Sequence, residues 1–246
     1  MFSLEIAVFE FFILLKVSFL GSLLTASAGL GGGSLLIAVM ASILPAPALI
    51  PIHGAVLMGS NGFRFVLTRQ HANYGSLLPF ALGGFIAFIF GMLSLLKFNF
   101  NYTPALVGLF ILFTTWFRIP KLNLLHSKIG MLLGGLVTSF LTFFVGATGP
   151  LVAAWIGVEN KSKLSFTADL SACMTFQHTI KLLLFMVTGF VFFEWISLII
   201  AMIGSGYLGA KIGLRWLQKT STVTFQRVFK VFLTILALRL IWTSYA

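Results

Sequence analysis

The chain has 246 residues, of which 59% are apolar and 9% are charged, and its mean hydropathy is +1.07. Lys and Arg number 16 against 5 Asp and Glu, which gives a net charge of +11. A water-facing surface needs far more charged residues, so these values exclude soluble enzymes, nucleic-acid-binding proteins and disordered chains and indicate an integral membrane protein.

Apolar runs of membrane-spanning length recur along the chain without alternating polar residues, which predicts helices rather than a barrel. A crossing needs about 20 apolar residues. The full-length candidates are residues 4–28, 48–67, 77–96, 166–187, 195–216 and 225–245, with shorter, charge-flanked candidates at 104–117 and 129–145. Residues 34–44 and 151–158 are too short to cross alone at about 1.5 Å per residue and are predicted to be broken or re-entrant helices.

Basic residues concentrate in loops that this arrangement places on one side of the membrane. They are Arg69, Arg118, Lys121, Lys128, Lys161, Lys163, Arg215 and Lys219. Lys and Arg accumulate in cytoplasmic loops, so both termini are predicted to lie outside the cell inner (plasma) membrane, which the chain crosses several times. The net charge is then explained by topology, with membrane lipid as a partner and no nucleic acid.

The chain also contains a weak internal repeat. A shift of 116 residues aligns Gly33 with Gly149, His53 with Asp169, and Asn61 with Gln177. Each half has five elements, an odd number, so the second half enters the membrane from the opposite face. Such inverted repeats are typical of secondary transporters, whose sites form where paired helices are broken. The predicted division is residues 1–119 for the first repeat, 120–127 for a cytoplasmic linker and 128–246 for the second repeat.

Each half contains a glycine-rich break before its short segment. The first is Gly29-Leu-Gly-Gly-Gly-Ser34, and the second is Gly146-Ala-Thr-Gly-Pro150. A helix that begins after such a break directs free N–H groups and a positive dipole end at the gap, which favours an anion. The candidate anion ligands are Gly31, Gly32, Gly33, Ser34, Thr148 and Gly149. The alternative is close helix packing through small residues.

Polar residues form a stripe along one helix in each half. In the first half they are His53, Asn61 and Arg64, and in the second half they are Asp169, Cys173, Gln177 and Lys181. Ionisable groups inside a membrane are costly and usually face a cavity, so both stripes are predicted to point inward. Asn61, Arg64, Gln177 and Lys181 are candidate anion ligands, with Lys181 expected to contribute more than Arg64. His53 and Asp169 are candidate proton carriers.

Each of these side chains also has a purely structural interpretation. Arg64 and Lys181 could extend to the membrane surface, and His53 could pack or cap a helix. Asp169 could be a carboxylate favoured by the N-terminal end of its helix, and His178 could be a packing residue.

Three motifs together resemble one known family. They are Gly29-Leu-Gly-Gly-Gly33 with its downstream prolines, Gly146-Ala-Thr-Gly-Pro150, and the ending from Gly204-Ser-Gly-Tyr-Leu-Gly-Ala-Lys-Ile-Gly213 through Ala237-Leu-Arg-Leu. Over nearly the whole chain, the sequence resembles the TauE/SafE sulfite exporter family of membrane transporters. The resemblance implies a secondary carrier of sulfite, sulfoacetate or related small sulfur-containing anions. The second break carries Ala147-Thr148 where a fuller glycine run is common, so the two halves are expected to contribute unequally.

The leading functional hypothesis is therefore anion transport by alternating access, with possible proton coupling, no cofactor and no enzymatic activity. An intramembrane serine protease would need a pair such as Ser34 and His53, but Ser34 lacks a recognisable nucleophile turn. Metal chemistry is not indicated, since His53, His71, His126 and His178 show no ligand spacing. A non-transporting membrane subunit and a homo-oligomer remain open.

Overall fold

The computed structural model describes residues 7–28, 31–117, 127–157, 162–217 and 223–244, and this part of the chain is built from helices and turns. The α-helices are α1 Val8–Ala28, α2 Gly32–Met40, α3 Ala46–Thr68, α4 Tyr74–Leu95, α5 Thr103–Trp116, α6 Lys128–Val145, α7 Gly149–Ile156, α8 Lys163–Val187, α9 Ile196–Trp216 and α10 Val223–Thr243. Three short 3₁₀ turns lie at Arg69–His71, Phe100–Tyr102 and Phe192–Trp195.

Within the described residues, five helical stretches are long and apolar enough to cross a membrane. They are Val8–Ser27, Tyr74–Leu95, Lys128–Val145, Lys163–Val187 and Phe192–Trp216, and a shorter apolar stretch is Phe100–Trp116. The prediction of an all-α, multi-pass membrane protein is confirmed. The two segments predicted to be short, α2 and α7, have 9 and 8 residues. At about 1.5 Å per residue neither can cross the hydrocarbon alone.

Capping side chains explain why two helices begin earlier than hydrophobicity predicts. Asn73 accepts a hydrogen bond from the Gly75 N–H, so α4 begins at Tyr74 rather than residue 77. Ser162 accepts from the Ser165 N–H, so α8 begins at Lys163 rather than residue 166. Satisfying a free N–H in this way stabilises a helix start by about 1 kcal/mol.

The packing of the helices follows the proposed repeat. α1 packs along α9, α4 along α6, α3 against α8, and α5 against α10. In the repeat, α1 corresponds to α6, α3 to α8, α4 to α9 and α5 to α10. The α1–α9 pair is therefore equivalent to the α6–α4 pair, and the α3–α8 and α5–α10 pairs are each formed by two equivalent helices. The two sets of five helices therefore interlock. The linker predicted at 120–127 falls almost entirely outside the described residues, so the division of the chain stays a prediction.

Glycines allow the two equivalent helix pairs to approach closely. A Cβ atom at Gly209 on α9 would overlap the Phe19 carbonyl of α1. A Cβ atom at Gly83 on α4 would overlap the Leu132 carbonyl of α6 in the same way. Small residues at such contacts are the usual means by which membrane helices pack. The contacts keep both pairs tight around the central helices α3 and α8.

Candidate functional site: a cavity between the two glycine breaks

A cavity lies between α1, the start of α2, α3, the α6–α7 break and α8, with about 540 Å³ of empty space including its opening. Seven of the twelve candidate site residues line it: Gly31, Gly32, Gly33, Ser34, Asn61, Arg64 and Gly149. The two breaks, which are 116 residues apart in sequence, thus meet at one cavity. Thr148, Gln177, Lys181, His53 and Asp169 are not among its lining residues.

The first break has the local geometry of a helix start. Gly31 has φ 97°, a left-handed conformation that favours glycine. Its carbonyl accepts the first hydrogen bond of α2, from the Leu35 N–H at 3.1 Å. The first N–H groups of a helix have no acceptor within that helix, so the start of α2 offers backbone donors to an anion in the cavity.

The glycines of the breaks have two different roles. A Cβ atom at Gly32 would overlap the Gly21 carbonyl oxygen and the Thr25 hydroxyl, so Gly32 is needed for packing of α2 on α1. At Gly33 the nearest atom to an added Cβ would be Leu57 Cδ1 at 3.3 Å, and at Gly149 it would be Met174 Cε at 3.8 Å. These are flexible side-chain ends. The packing interpretation therefore holds for Gly32, while Gly33 and Gly149 leave space that the cavity uses.

Arg64 is the cationic side chain that lines the cavity. It is only 2% exposed, which excludes extension to the membrane surface. Its Nη1 donates to Asn61 Oδ1 at 3.0 Å, and Asn61 Nδ2 donates to the Leu57 carbonyl at 2.8 Å. The Arg64 Nε is buried without a hydrogen-bond partner among the described residues. A guanidinium with a spare donor beside a helix start is suited to bind an anion through charge-assisted hydrogen bonds.

Gln177 and Thr148 contact each other instead of lining the cavity. The Thr148 hydroxyl donates to Gln177 Oε1 at 2.8 Å. The Gln177 amide donates in turn to the Thr138 hydroxyl at 2.9 Å and to Ser139 Oγ at 3.5 Å. The pair therefore fastens the second break to α8 and α6.

Lys181 lies behind the second break. It is fully buried, so it does not extend to the membrane surface. Its Nζ donates to the Thr142 hydroxyl at 3.3 Å, and that hydroxyl donates to the Gly146 carbonyl at 3.0 Å. Lys181 thus acts on the second break through Thr142.

His53 and Asp169, which align in the repeat, have different surroundings. His53 Nε2 lies 3.1 Å from the Gly33 carbonyl. A carbonyl oxygen only accepts hydrogen bonds, so Nε2 carries the proton and donates. Asp169 Oδ1 accepts from the Asn73 N–H at 2.7 Å, in the turn before α4. His53 is therefore linked to the cavity wall, whereas Asp169 fastens a turn.

Sequence reasoning interpreted His178 as a packing residue and assigned no role to the hydroxyls of α6. His178 is fully buried on α8, and its ring centroid lies 6.1 Å from that of His53. Two spacings in the sequence could have indicated these residues. His178 and Lys181 are three residues apart, and Thr138 and Thr142 are four residues apart, so each pair lies on one face of its helix.

The enzymatic alternatives gain no support from this geometry. His53 Nε2 is occupied by the Gly33 carbonyl, and no hydrogen bond joins it to Ser34 within the described residues. The same part of the chain contains no group of three or more His, Cys, Asp or Glu side chains that could hold a metal ion.

A multi-pass helical protein in which two short helices begin at a buried, cation-lined cavity has the architecture of a membrane transporter. The family model described as "Sulfite exporter TauE/SafE" matches residues 14–240. The chain belongs to this family, as its glycine motifs predicted. No curated protein and no solved structure is significantly similar to the chain.

Proposed function

We propose that the protein is a secondary transporter that carries a small sulfur-containing anion, such as sulfite, sulfoacetate or a related organosulfonate, by alternating access. The observation that carries this proposal is Arg64, a buried cation with an unpartnered Nε at a cavity formed by both glycine breaks. A buried unpaired charge is costly, and an anion would remove that cost.

The cavity offers complementary contacts to an oxyanion. Arg64 supplies charge and directed donors, and the start of α2 supplies backbone N–H groups around Gly33. Leu57, Leu170 and Met174 also line the cavity and provide an apolar wall for the carbon portion of an organosulfonate. Because the lining comes from both sets of helices, a relative movement of the two sets would open the cavity to one side and close it to the other.

Contacts between helix ends support the predicted topology. Lys163 Nζ donates to the Leu217 carbonyl at 3.1 Å, which places the start of α8 beside the end of α9. The contact between Asp169 and Asn73 joins the first two turns of α8 to the turn that follows α3. These contacts support the expectation that three of the basic loop regions share one face. We assign that face to the cytoplasm and both termini to the outside of the inner (plasma) membrane.

We assign proton coupling to His53 rather than Asp169. His53 donates to Gly33, which lines the cavity, whereas the carboxylate of Asp169 is engaged by the Asn73 backbone. A proton on His53 would therefore be sensitive to the anion.

Flux measurements in reconstituted vesicles test the proposed function. Purified protein in proteoliposomes should take up radiolabelled sulfite faster than protein-free vesicles, and unlabelled sulfoacetate should compete if organosulfonates share the cavity. The protein-free vesicles correct for passive permeation. If monodisperse, inserted protein produces no flux of either anion, the proposal fails and a non-transporting subunit becomes the better interpretation.

A further inference from the structure

A cluster of three basic side chains lies behind the cavity, between α3 and α8. This basic cluster consists of His53, His178 and Lys181, and each of the three side chains is fully buried. The two imidazole rings are nearly perpendicular with centroids 6.1 Å apart. Lys181 Nζ would lie 3.4 Å from a Cβ atom at Gly54, the residue after His53. The three groups therefore meet at one place where the two halves of the chain contact each other.

The basic cluster has free positions for protons. His53 Nδ1 and both ring nitrogens of His178 are buried without a hydrogen-bond partner among the described residues. Lys181 donates to Thr142, its one hydrogen-bonded neighbour in that part of the chain. A buried polar atom without a partner is destabilising by about 1–3 kcal/mol, so these nitrogens call for a functional explanation.

No carboxylate in the described ranges forms an ion pair with the basic cluster. The neighbouring helices α2, α4 and α7 contain no His, Lys, Arg, Asp or Glu, and α6 presents only the Thr142 hydroxyl here. Asp169 lies twelve residues before Lys181 on α8, about 18 Å away. Lys16, Lys211, Arg215 and Glu194, on α1, α9 and the turn before α9, are exposed. Several charges together would repel strongly in this environment, so the empty protein favours few protons on the cluster.

His53 connects the basic cluster to both glycine breaks. Its Nε2 donates to the carbonyl of Gly33, which lines the cavity. Its Nδ1 would lie 3.2 Å from a Cβ atom at Gly146, in the second break. An anion bound near Gly33 thus brings negative charge close to the cluster. In a region of low dielectric constant this attraction favours one additional proton on the cluster.

We propose that the basic cluster takes up one proton together with the transported anion and releases it with that anion on the other side of the membrane. The protein would then be a proton–anion symporter, an inference that rests on the proposed transport function. The proton comes from water and binds the free Nδ1 of His53, the member of the basic cluster that also donates to the Gly33 carbonyl. None of the three side chains lines the cavity, so the anion itself stays outside the cluster.

This coupling is compatible with membership of an exporter family. A divalent anion and one proton together carry a net negative charge. An inside-negative membrane potential favours the exit of that charge.

The experiment measures anion accumulation driven by a pH gradient. Proteoliposomes are held at zero membrane potential with potassium and valinomycin, and the outside is made one pH unit more acidic than the inside. If one proton accompanies each anion, wild-type protein should accumulate labelled sulfite about tenfold at steady state, after subtraction of protein-free vesicles. His53→Gln should equilibrate sulfite without accumulating it, since glutamine does not titrate, while its amide can still donate to the Gly33 carbonyl.

A matched control separates the cluster from other effects of histidine loss. His71→Gln replaces an exposed histidine in the turn after α3 and should accumulate sulfite like the wild type. Protonation of sulfite in water is the same for every variant, so it cannot explain a difference between His53→Gln and His71→Gln.

Two results would overturn the proton proposal while leaving transport intact. One is wild-type flux without gradient-driven accumulation, and the other is full accumulation by His53→Gln. If His53→Gln does not fold, a trapped pH dye in wild-type vesicles should report proton uptake when sulfite is added without a pH gradient. A silent dye during measurable flux also rejects the proposal, whereas absence of any wild-type flux rejects the transport function itself.

Discussion

Replacement of Arg64 by methionine is the most direct test of the anion site. Arg64 is 2% exposed, lines the cavity and has a buried, unpartnered Nε. A methionine side chain keeps much of the length of the arginine side chain and removes its charge. The sequence alone suggested that Lys181 would matter more. In the structure Lys181 contacts Thr142 behind the second break and does not line the cavity, so we now expect Arg64 to have the larger effect.

The expected size of the effect follows from the chemistry of the lost contact. A hydrogen bond to a charged group contributes about 1.5–3 kcal/mol, and a charge pair 4 Å apart contributes about 4 kcal/mol at an effective dielectric constant of 20. These energies correspond to a rise of about 10- to 900-fold in the half-saturating anion concentration. The variant removes the unpartnered Nε but also breaks the bond from Nη1 to Asn61 Oδ1, so we expect a loss of folding stability of about 1–3 kcal/mol beside the loss of affinity.

The assay is the concentration dependence of sulfite flux in proteoliposomes. Arg64→Lys should retain part of the affinity because the charge survives, and Arg69→Met is the matched control because Arg69 is an exposed cation just beyond α3. Thermal unfolding in detergent checks that the variants are folded. An unchanged half-saturating concentration for Arg64→Met would show that the guanidinium serves packing and would remove the main support for the proposed site.

Three further predictions concern the breaks and the topology. Gly149→Leu should abolish transport without loss of folded protein, because the added Cβ has room while the rest of the leucine side chain fills the cavity. The control Gly204→Leu, at a position with open space around it, should transport normally. Equal flux in both variants would reject the role of the second break. Gly32→Ala should lower stability by about 1–3 kcal/mol or more, seen as a lower unfolding temperature, because its Cβ would overlap the α1 backbone. In a cysteine-free background, cysteines at Asn123 and Ala246 should label from opposite faces of intact cells, and outside labelling at Asn123 would invert the proposed orientation.

Composition and pattern were enough to establish the class of protein and the elements of its site. Charge and hydropathy required a helical membrane protein, because only helices satisfy the backbone of such apolar runs in lipid. The glycine-rich breaks predicted a short helix after each of them. Glycine permits the left-handed backbone conformation that Gly31 adopts before α2. The same breaks, with the family resemblance, indicated an anion cavity at the point where the breaks meet.

Tertiary structure decided which polar residues belong to that cavity. Helical periodicity places a residue on one face of its own helix but does not say which group of another helix lies opposite. Gln177 is hydrogen-bonded to Thr148 in the second break and to Thr138 on α6. Lys181 is hydrogen-bonded to Thr142, which also lies on α6. Arg64, on the equivalent helix α3, meets the cavity.

The repeat shows the same limit most clearly. A shift of 116 residues aligns His53 with Asp169 and suggested similar roles for both. In the folded chain, His53 meets the Gly33 carbonyl and Asp169 meets the Asn73 N–H. An internal alignment equates positions along the chain, whereas the role of a buried side chain depends on the donor or acceptor that a distant segment brings to it. The sequence therefore determined the membrane class and the glycine breaks, and the packing of α3 against α8 determined which charged side chain lines the cavity.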